Sequence, residues 1–361
     1  MLISGIAADY AQWLEESAYP LWSLRGVDPA TGIVWEGLDH AGRPLTGSDR
    51  RLRVLARQAY CFVSSGQPAL ADLGERQFRH AMDHGFCPQS GRLAAHFDRR
   101  LNIRSAPHDL YDLAFMLLAA SALLAQGRLR AGDMPRLEFA LAALKAPRGW
   151  FETAQRILPR RQNPHMHLFE AATELYHVTG AARFLKIAEE CEDLFSTLFL
   201  QNDGRILEYY DADFRPLKGA QQSVEPGHMA EWIYLLHRYQ HVTGRSPGSA
   251  PERLFAALTH RKTAEGFLPD RVDPAVATRR FWPQLEYLRA AVVMRQRGHA
   301  LAAQDAPERI MARIAHDYLD RAVPGGWFDT CDDTGTVLSC TMPASTLYHL
   351  QPAIRSLVET V

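Results

Sequence analysis

Three short segments carry the residue types from which proton-transfer sites are built. The first is Arg161-Gln-Asn-Pro-His-Met-His-Leu-Phe-Glu170. Asn163 reads as a helix cap and Pro164 suits a first helical position. His165, His167 and Glu170 then fall within the first two turns. A His-x-His pair invites a metal reading, but residues two apart on a helix are rotated by about 200° and point apart. His167 and Glu170, three apart, share a face. The segment reads as a polar cluster for a polyhydroxylated ligand such as a sugar, with a capped helix and core histidines as the plain alternative. The second segment is Val224-Glu-Pro-Gly-His-Met-Ala-Glu-Trp232. Pro226 and Gly227 mark another helix entry, and His228 and Glu231 share a face. A carboxylate beside an imidazole raises its charged fraction and fixes its orientation, which suits a general acid or base near neutral pH. The third is Pro343-Ala-Ser-Thr-Leu-Tyr-His-Leu350, which puts His349 about two turns into an apolar helix.

Other side chains extend this set. Arg57 lies in the middle of an apolar helix, where an unpaired guanidinium is expensive and calls for a partner or a ligand. Arg53, one turn earlier, reads as rim. Tyr111 and Asp112 sit in His108-Asp-Leu-Tyr-Asp-Leu-Ala-Phe115, and Trp282 opens Trp282-Pro-Gln-Leu-Glu286. Trp282 and Trp232 offer flat apolar faces of the kind sugars stack on, or else pack in the core. No P-loop, G-x-G-x-x-G, G-x-S-x-G or H-E-x-x-H occurs, which removes the usual support for nucleotide, serine-hydrolase and zinc-protease chemistry.

The elements that must hold these residues are helices. Gly66, Gly127, Gly180, Gly244 and Gly298 each follow an apolar helical run, at spacings of 61, 53, 64 and 54 residues. Two of the endings are near-copies, His177-Val-Thr-Gly180 and His241-Val-Thr-Gly244. Such a period marks a repeated unit, and the apolar steps at i, i+3 and i+4 make it a helical hairpin. The spacing predicts helix pairs at 5–18 and 50–65, 69–83 and 109–125, 132–145 and 164–179, 181–198 and 227–243, 251–260 and 282–297, and 303–320 and 343–358. The second helix of each pair is the more apolar and is expected inside. The links into those inner helices are long, and 205–211 within one of them suits a small strand. Six hairpins suggest a closed ring that gathers residues from 57 to 349 into one mouth, with an open solenoid as the alternative.

With 361 residues and 47% apolar content, the chain can bury a large core. No linker-like stretch interrupts it, so one domain over 1–361 is expected. The net charge of -1 and the lack of a basic block argue against nucleic acid and anionic membrane partners. No apolar run reaches the roughly 20 residues of a membrane span, and the first ten residues do not resemble a signal peptide. Five cysteines without C-x-x-C argue against a disulfide framework and a thiolate zinc site. A cytoplasmic protein is expected, with outer helices that could form a homodimer face.

Together, seven segments resemble the N-acylglucosamine 2-epimerase family, in order and over nearly the whole chain. They are Arg57–Tyr60, Asp109–Phe115, Asn163–Glu170, Glu225–Trp232, Trp282–Glu286, Gly325–Asp329 and Pro343–His349. The resemblance implies an all-α fold, the (α/α)6 barrel, and membership among cofactor-independent sugar 2-epimerases and aldose–ketose isomerases. It implies that His228 and His349 move the proton at C2 of the sugar and that Arg57 lies near the substrate oxygens. His167, Glu231, Trp282 and Trp232 match pocket positions; Asn163, Glu170, Tyr111 and Asp112 complete the expected substrate-binding set. No cofactor or metal is expected. The Asn-Pro-His-Met-His-Leu wording is most similar to the mannose isomerase branch, although Lys218–Glu225 lacks the arginine that some isomerases carry before Pro-Gly-His. The expected reaction is D-mannose/D-fructose interconversion through an enediolate. Alternatives are a 2-epimerase (mannose/glucose, N-acylglucosamine or cellobiose type), an inverting glycosidase using Glu170 and Glu231 about 6.5–9.5 Å apart, and a non-catalytic repeat protein. Whether the substrate is phosphorylated is open; Arg160 and Arg161 are candidates to meet a phosphate.

Overall fold

Burial separates the helices into two layers. A computed structural model describes residues 3–87, 92–105, 108–300 and 305–358. The inner layer comprises α3 (Leu52–Val63), α5 (Leu110–Ala125), α7 (Gln162–Thr179), α9 (Pro226–Thr243), α11 (Phe281–Gln296) and α13 (Leu347–Val358). These helices are buried on nearly every side, as helices that are apolar all round must be. The outer layer comprises α1 (Ile3–Trp13), α2 (Tyr19–Leu24), α4 (Pro68–His84), α6 (Asp133–Ala142), α8 (Ala182–Leu194), α10 (Ala250–Thr259) and α12 (Pro307–Ile314). A wider π-helical turn, Leu14–Ala18, joins α1 to α2, and similar turns extend α8 (Phe195–Phe199) and α12 (Ala315–Leu319).

Each inner helix packs on the next, α3 on α5, α5 on α7, α7 on α9, α9 on α11 and α11 on α13, and α13 returns to α3. The ring is therefore closed, and the open solenoid is excluded. The links into the inner helices carry short antiparallel ladders: β1 (Gly37–Asp39), β2 (Arg50–Arg51), β3 (His96–Phe97), β4 (Ile103–Ser105), β5 (Arg160–Arg161), β6 (Tyr209–Tyr210), β7 (Thr278–Arg280), β8 (Thr330–Asp332) and β9 (Thr341–Pro343). The pairing of β1 with β9 ties the first link to the last. Trp22 stacks on Trp327 with centroids 4.5 Å apart at the same seam. Gly325 (φ +81°) lets the same segment pass close to the Leu14–Ala18 turn, because a Cβ there would lie 2.2 Å from the Ser17 carbonyl oxygen.

All five glycine stops adopt the left-handed conformation. The repeated His-Val-Thr-Gly ending has a shared cause. Thr179 and Thr243 each donate their hydroxyl to the carbonyl four residues back, and each accepts the amide just beyond the glycine. Three expectations need correction. The last inner helix begins at Leu347, because 341–343 pair as β9 and Ala344–Thr346 form a 3-10 turn; His349 is thus in the first turn, not two turns in. The helix expected at 164–179 begins at Gln162 with Arg161 at its cap position, so Asn163 is not a cap and Pro164 is not the first residue. The helix expected at 303–320 starts at Pro307, and positions 303–304 lie outside the described residues. Among the described residues no helix is long and apolar enough to cross a membrane. Replacing Trp327 by Ala should remove the stacking partner of Trp22 and lower unfolding stability by about 3–5 kcal/mol, read from urea denaturation; a change below ~1 kcal/mol would mean that the seam is not closed by this pair.

Candidate active site

The N-terminal ends of the inner helices converge on a cavity of about 360 Å³. Arg57, Tyr111, His167, His228, Glu231, Trp282 and His349 all line it, each from the first few turns of an inner helix. Helix N-termini present unpaired N–H groups and partial positive charge, so this end favours negative charge on a ligand.

His228 is the third residue of α9, and its Nδ1 lies 2.8 Å from Glu208 Oε1 and 3.8 Å from Glu225. Burial alone would discharge this ring, but the Glu208 and Glu225 carboxylates outweigh it and raise the pKa to about 9. Its partner is therefore Glu208 rather than the expected Glu231. Glu208 is itself held by the Gln162 amide at 3.0 Å, and Gln162 accepts the Trp232 indole N–H at 2.9 Å. His349 Nδ1 lies 2.7 Å from Glu286 Oε1, and Arg289 donates to both oxygens of that carboxylate, at 3.1 and 2.9 Å. Here burial wins: the imidazole pKa falls to about 4 despite Glu286, with Arg57 and Arg289 adding to the effect. Arg289 and His349 hold the buried Glu286 carboxyl below its ordinary range, against the effect of burial. Each carboxylate occupies an Nδ1, so Nε2 is the nitrogen left for the cavity in both rings.

Trp282 adjoins both histidines, with ring centroids 5.2 Å from His228 and 5.3 Å from His349. Gly227 makes this possible, because a Cβ at 227 would lie 2.4 Å from the indole. That close approach explains the glycine of Pro-Gly-His. Arg57 is buried under Phe115, Tyr348 and Tyr111 and donates to the Tyr111 hydroxyl at 2.5 Å. Among the described residues no carboxylate pairs with it. His167 Nδ1 lies 3.2 Å from Glu170 and 3.8 Å from Glu231, and burial keeps its ring neutral, well below its usual pKa. Both Glu231 oxygens are buried without a hydrogen bond, and burial, Glu286 and Glu170 push its carboxyl well up. The Asn163 Oδ1 is likewise buried and unpartnered at the wall.

Three expected substrate contacts lie behind this wall. Trp232 is fully buried against Phe195, at 4.3 Å, and Phe169. Asp112 closes a capping box with Asp109 and binds Arg53 at 2.7 Å; burial and Asp109 raise its carboxyl to about 7. Glu170 accepts from His167 and from the Tyr348 hydroxyl and does not line the cavity. Its ligand oxygen is within 4.8 Å of that of Glu231, closer than an inverting glycosidase pair requires, so that alternative loses its two carboxylates. His165 turns away, with Nδ1 on the Arg161 carbonyl at 2.9 Å, as the helical rotation requires.

The sequence reading missed Arg51, Arg280 and Glu208 at the site, and named Arg161 only as a candidate to meet a phosphate. Arg51, Arg161 and Arg280 stand at the cavity mouth as the cap residues of α3, α7 and α11. Each donates its backbone N–H and its Nε to one carboxylate: Glu36 (2.5 and 2.7 Å), Glu152 (2.7 and 2.7 Å) and Asp270 (2.7 and 3.1 Å). The dipeptides Arg50-Arg51, Arg160-Arg161 and Arg279-Arg280 were the available signal. Arg280 also brings a guanidinium 3.6 Å from Glu225, beside the Pro-Gly-His segment that lacks an upstream arginine. Glu208 had no signal, since it sits in an irregular link.

Comparison with known proteins follows this geometry. The family model described as N-acylglucosamine 2-epimerase matches residues 32–353. A protein named mannose-6-phosphate isomerase from Rhizobium meliloti (strain 1021) is 33% identical, with 97% of this chain and 96% of that protein covered. A D-mannose isomerase from Thermobifida fusca is 28% identical over 80% of this chain and 79% of its own length. The structure of cellobiose 2-epimerase from Spirochaeta thermophila DSM 6192 superposes with a TM-score of 0.86 at 18% identity, covering 99% and 98% of the two chains, and shares the (α/α)6 barrel. Gly227→Ala should displace Trp282 and misplace both histidines, lowering kcat/KM on the order of 100-fold with an unchanged far-UV circular dichroism spectrum; undiminished turnover would show that the contact is not needed.

Proposed function

The chain belongs to the N-acylglucosamine 2-epimerase family, and on that premise we propose that it is a cofactor-independent isomerase interconverting D-mannose and D-fructose. We read residues 1–361 as one catalytic domain. The observation that carries the proposal is a pair of cavity histidines on either side of Trp282, each with Nδ1 on a buried carboxylate, His228 on Glu208 and His349 on Glu286. Their surroundings drive the pKa values apart, up to about 9 for His228 and down to about 4 for His349. Titratable pairs driven apart in this way identify an acid and a base.

In this mechanism His228 gives its proton to the ring oxygen and recovers one from the O1 hydroxyl, which opens the sugar. His349 Nε2 takes the C2 proton as electrons move into the C1 carbonyl. Arg57 and the converging helix N-termini stabilise the resulting enediolate oxygens. Glu231, kept protonated by burial and its acidic neighbours, donates to O1 and takes the O2 proton. His349 returns its proton to C1, leaving the ketose. Trp282 covers the apolar face of the sugar, and Asn163 and His167 meet its hydroxyls. A free hexose suits the mouth, because Arg51, Arg161 and Arg280 are already bonded to carboxylates. A second reading, 2-epimerisation, is supported by the charged His228 beside the same indole, a donor able to protonate C2 instead of C1.

Proton NMR with mannose in D2O tests the choice. Fructose alone is expected; early glucose with deuterium at C2 would overturn isomerisation in favour of epimerisation. Turnover confined to mannose 6-phosphate would reject the free-hexose reading. His349→Ala should reduce kcat by about 10²–10⁴-fold in a folded protein, and activity near wild type would remove His349 from the mechanism.

The pH profile gives a further check. The working state needs His349 neutral and His228 charged. The rate should therefore fall as pH drops through about 4 and again as it rises through about 9. Glu208→Gln removes the group that chiefly raises the His228 pKa, so the alkaline limb should move to lower pH. An unmoved limb would mean that another group sets it.

A further inference from the structure

We propose that His167, Glu170 and Glu231 form a binding site for a divalent cation of the zinc class in the cavity wall, and that an ion held there blocks the sugar site. The cation-binding half stands on these side chains alone; the inhibition half rests on the isomerase reading.

The geometry is that of a nearly formed three-ligand site. His167 Nδ1 lies 3.2 Å from Glu170 Oε2 and 3.8 Å from Glu231 Oε1, and the three ligand atoms all lie within 4.8 Å of one another. A tetrahedral zinc ion with bonds of roughly 2.0–2.2 Å sets its ligands about 3.3 Å apart. The His167–Glu170 edge already fits, the His167–Glu231 edge needs a shift of about half an ångström, and the Glu170–Glu231 edge needs at most about 1.5 Å.

A separate observation points to a ligand. Both Glu231 oxygens are buried and lack hydrogen-bond partners within the described residues. A buried acceptor left without a partner is costly, and a cation would satisfy it. The Tyr348 hydroxyl donates to Glu170, the kind of outer contact that orients a ligating carboxylate. His167 and Glu231 face the cavity, so the fourth position is open to water or to a sugar hydroxyl. Glu231, Glu286 and His349 form a second grouping of suitable ligand atoms. It is the weaker one, because Glu286 is already engaged by Arg289 and His349. The cations Arg57, His228 and Arg289 act on His167, and the carboxylates of Glu170, Glu231 and Glu286 stand against them.

The test uses full-length protein stripped with a chelator and titrated with Co2+, which reports a four-coordinate site by its visible absorption. One saturable equivalent is expected, displaced by Zn2+. His167→Gln and Glu170→Gln should each weaken binding at least tenfold, whereas His80→Ala/His84→Ala, at a histidine pair on the outer helix α4 away from the cavity, should retain it. Glu231→Gln replaces His167→Gln should that variant fail to fold. Zn2+ should abolish mannose turnover, with recovery on adding EDTA. No saturable Co2+ signal, or one unchanged in the cavity variants, overturns the site. Cobalt binding in a protein that turns over no sugar would keep the site and reject the isomerase instead. Zinc bound at the site without loss of turnover overturns the inhibition.

Discussion

The contact between His228 and Glu208 is one half of a contrast on which the chemistry of the cavity depends. A buried imidazole loses its proton unless a carboxylate compensates for the lost water. Glu208 and Glu225 do so for His228. Glu286 faces His349 at a similar distance, yet Arg289 already draws on that carboxylate with two bonds. One carboxylate is therefore shared with a neutral amide, that of Gln162, and the other with a buried cation. Two similar histidines on similar helices thus differ in protonation, His228 charged and His349 neutral.

The barrel maintains this contrast by fixing what lies behind each histidine. Trp232, Gln162, Glu208 and His228 form a chain of contacts that begins in the dry space between two helix layers. On the far side, Tyr234, Arg289, Glu286 and His349 form another. Ring closure matters because α13, which carries His349, must also lie against α3, which carries Arg57. Three arginine–carboxylate clamps then fix where α3, α7 and α11 start. The start of an inner helix decides which side chains face the mouth, so each clamp sets the register of a catalytic wall.

The helices, their glycine stops and the closed ring were legible because each leaves a local mark: a period, a left-handed glycine, a repeated Thr-Gly ending. Arg57, His167, His228, Trp282 and His349 were legible for a related reason, being polar or flat residues on stretches that otherwise read as core. Distance along the chain hid their partners. Glu208 precedes His228 by 20 residues and lies in an irregular link, whereas Glu231, one helical turn away, was the visible choice. Trp232 and Asp112 were misread because helical periodicity places a residue on a face but does not say whether that face meets the cavity or a neighbouring helix. The start of α13 was misread because 341–343 pair with β1, a contact made across the whole chain.

Local rules fail most clearly where function is placed. Arg57 Nε, Asn163 Oδ1 and both Glu231 oxygens are buried without partners, and they meet at one cavity. Each such group costs on the order of 1–3 kcal/mol in a folded protein. A core built for stability alone would have replaced them with apolar side chains. Other such atoms are scattered through the fold, but these line one cavity, and in the proposed reading hydroxyls of a sugar satisfy the donors and acceptors left open there. Specificity follows from the same source, since a ligand lacking a hydroxyl at one of these positions leaves a buried group unpaired. In the proposed mechanism selection of the substrate is thus distributed over the wall, while the difference in protonation between two histidines serves the proton transfer.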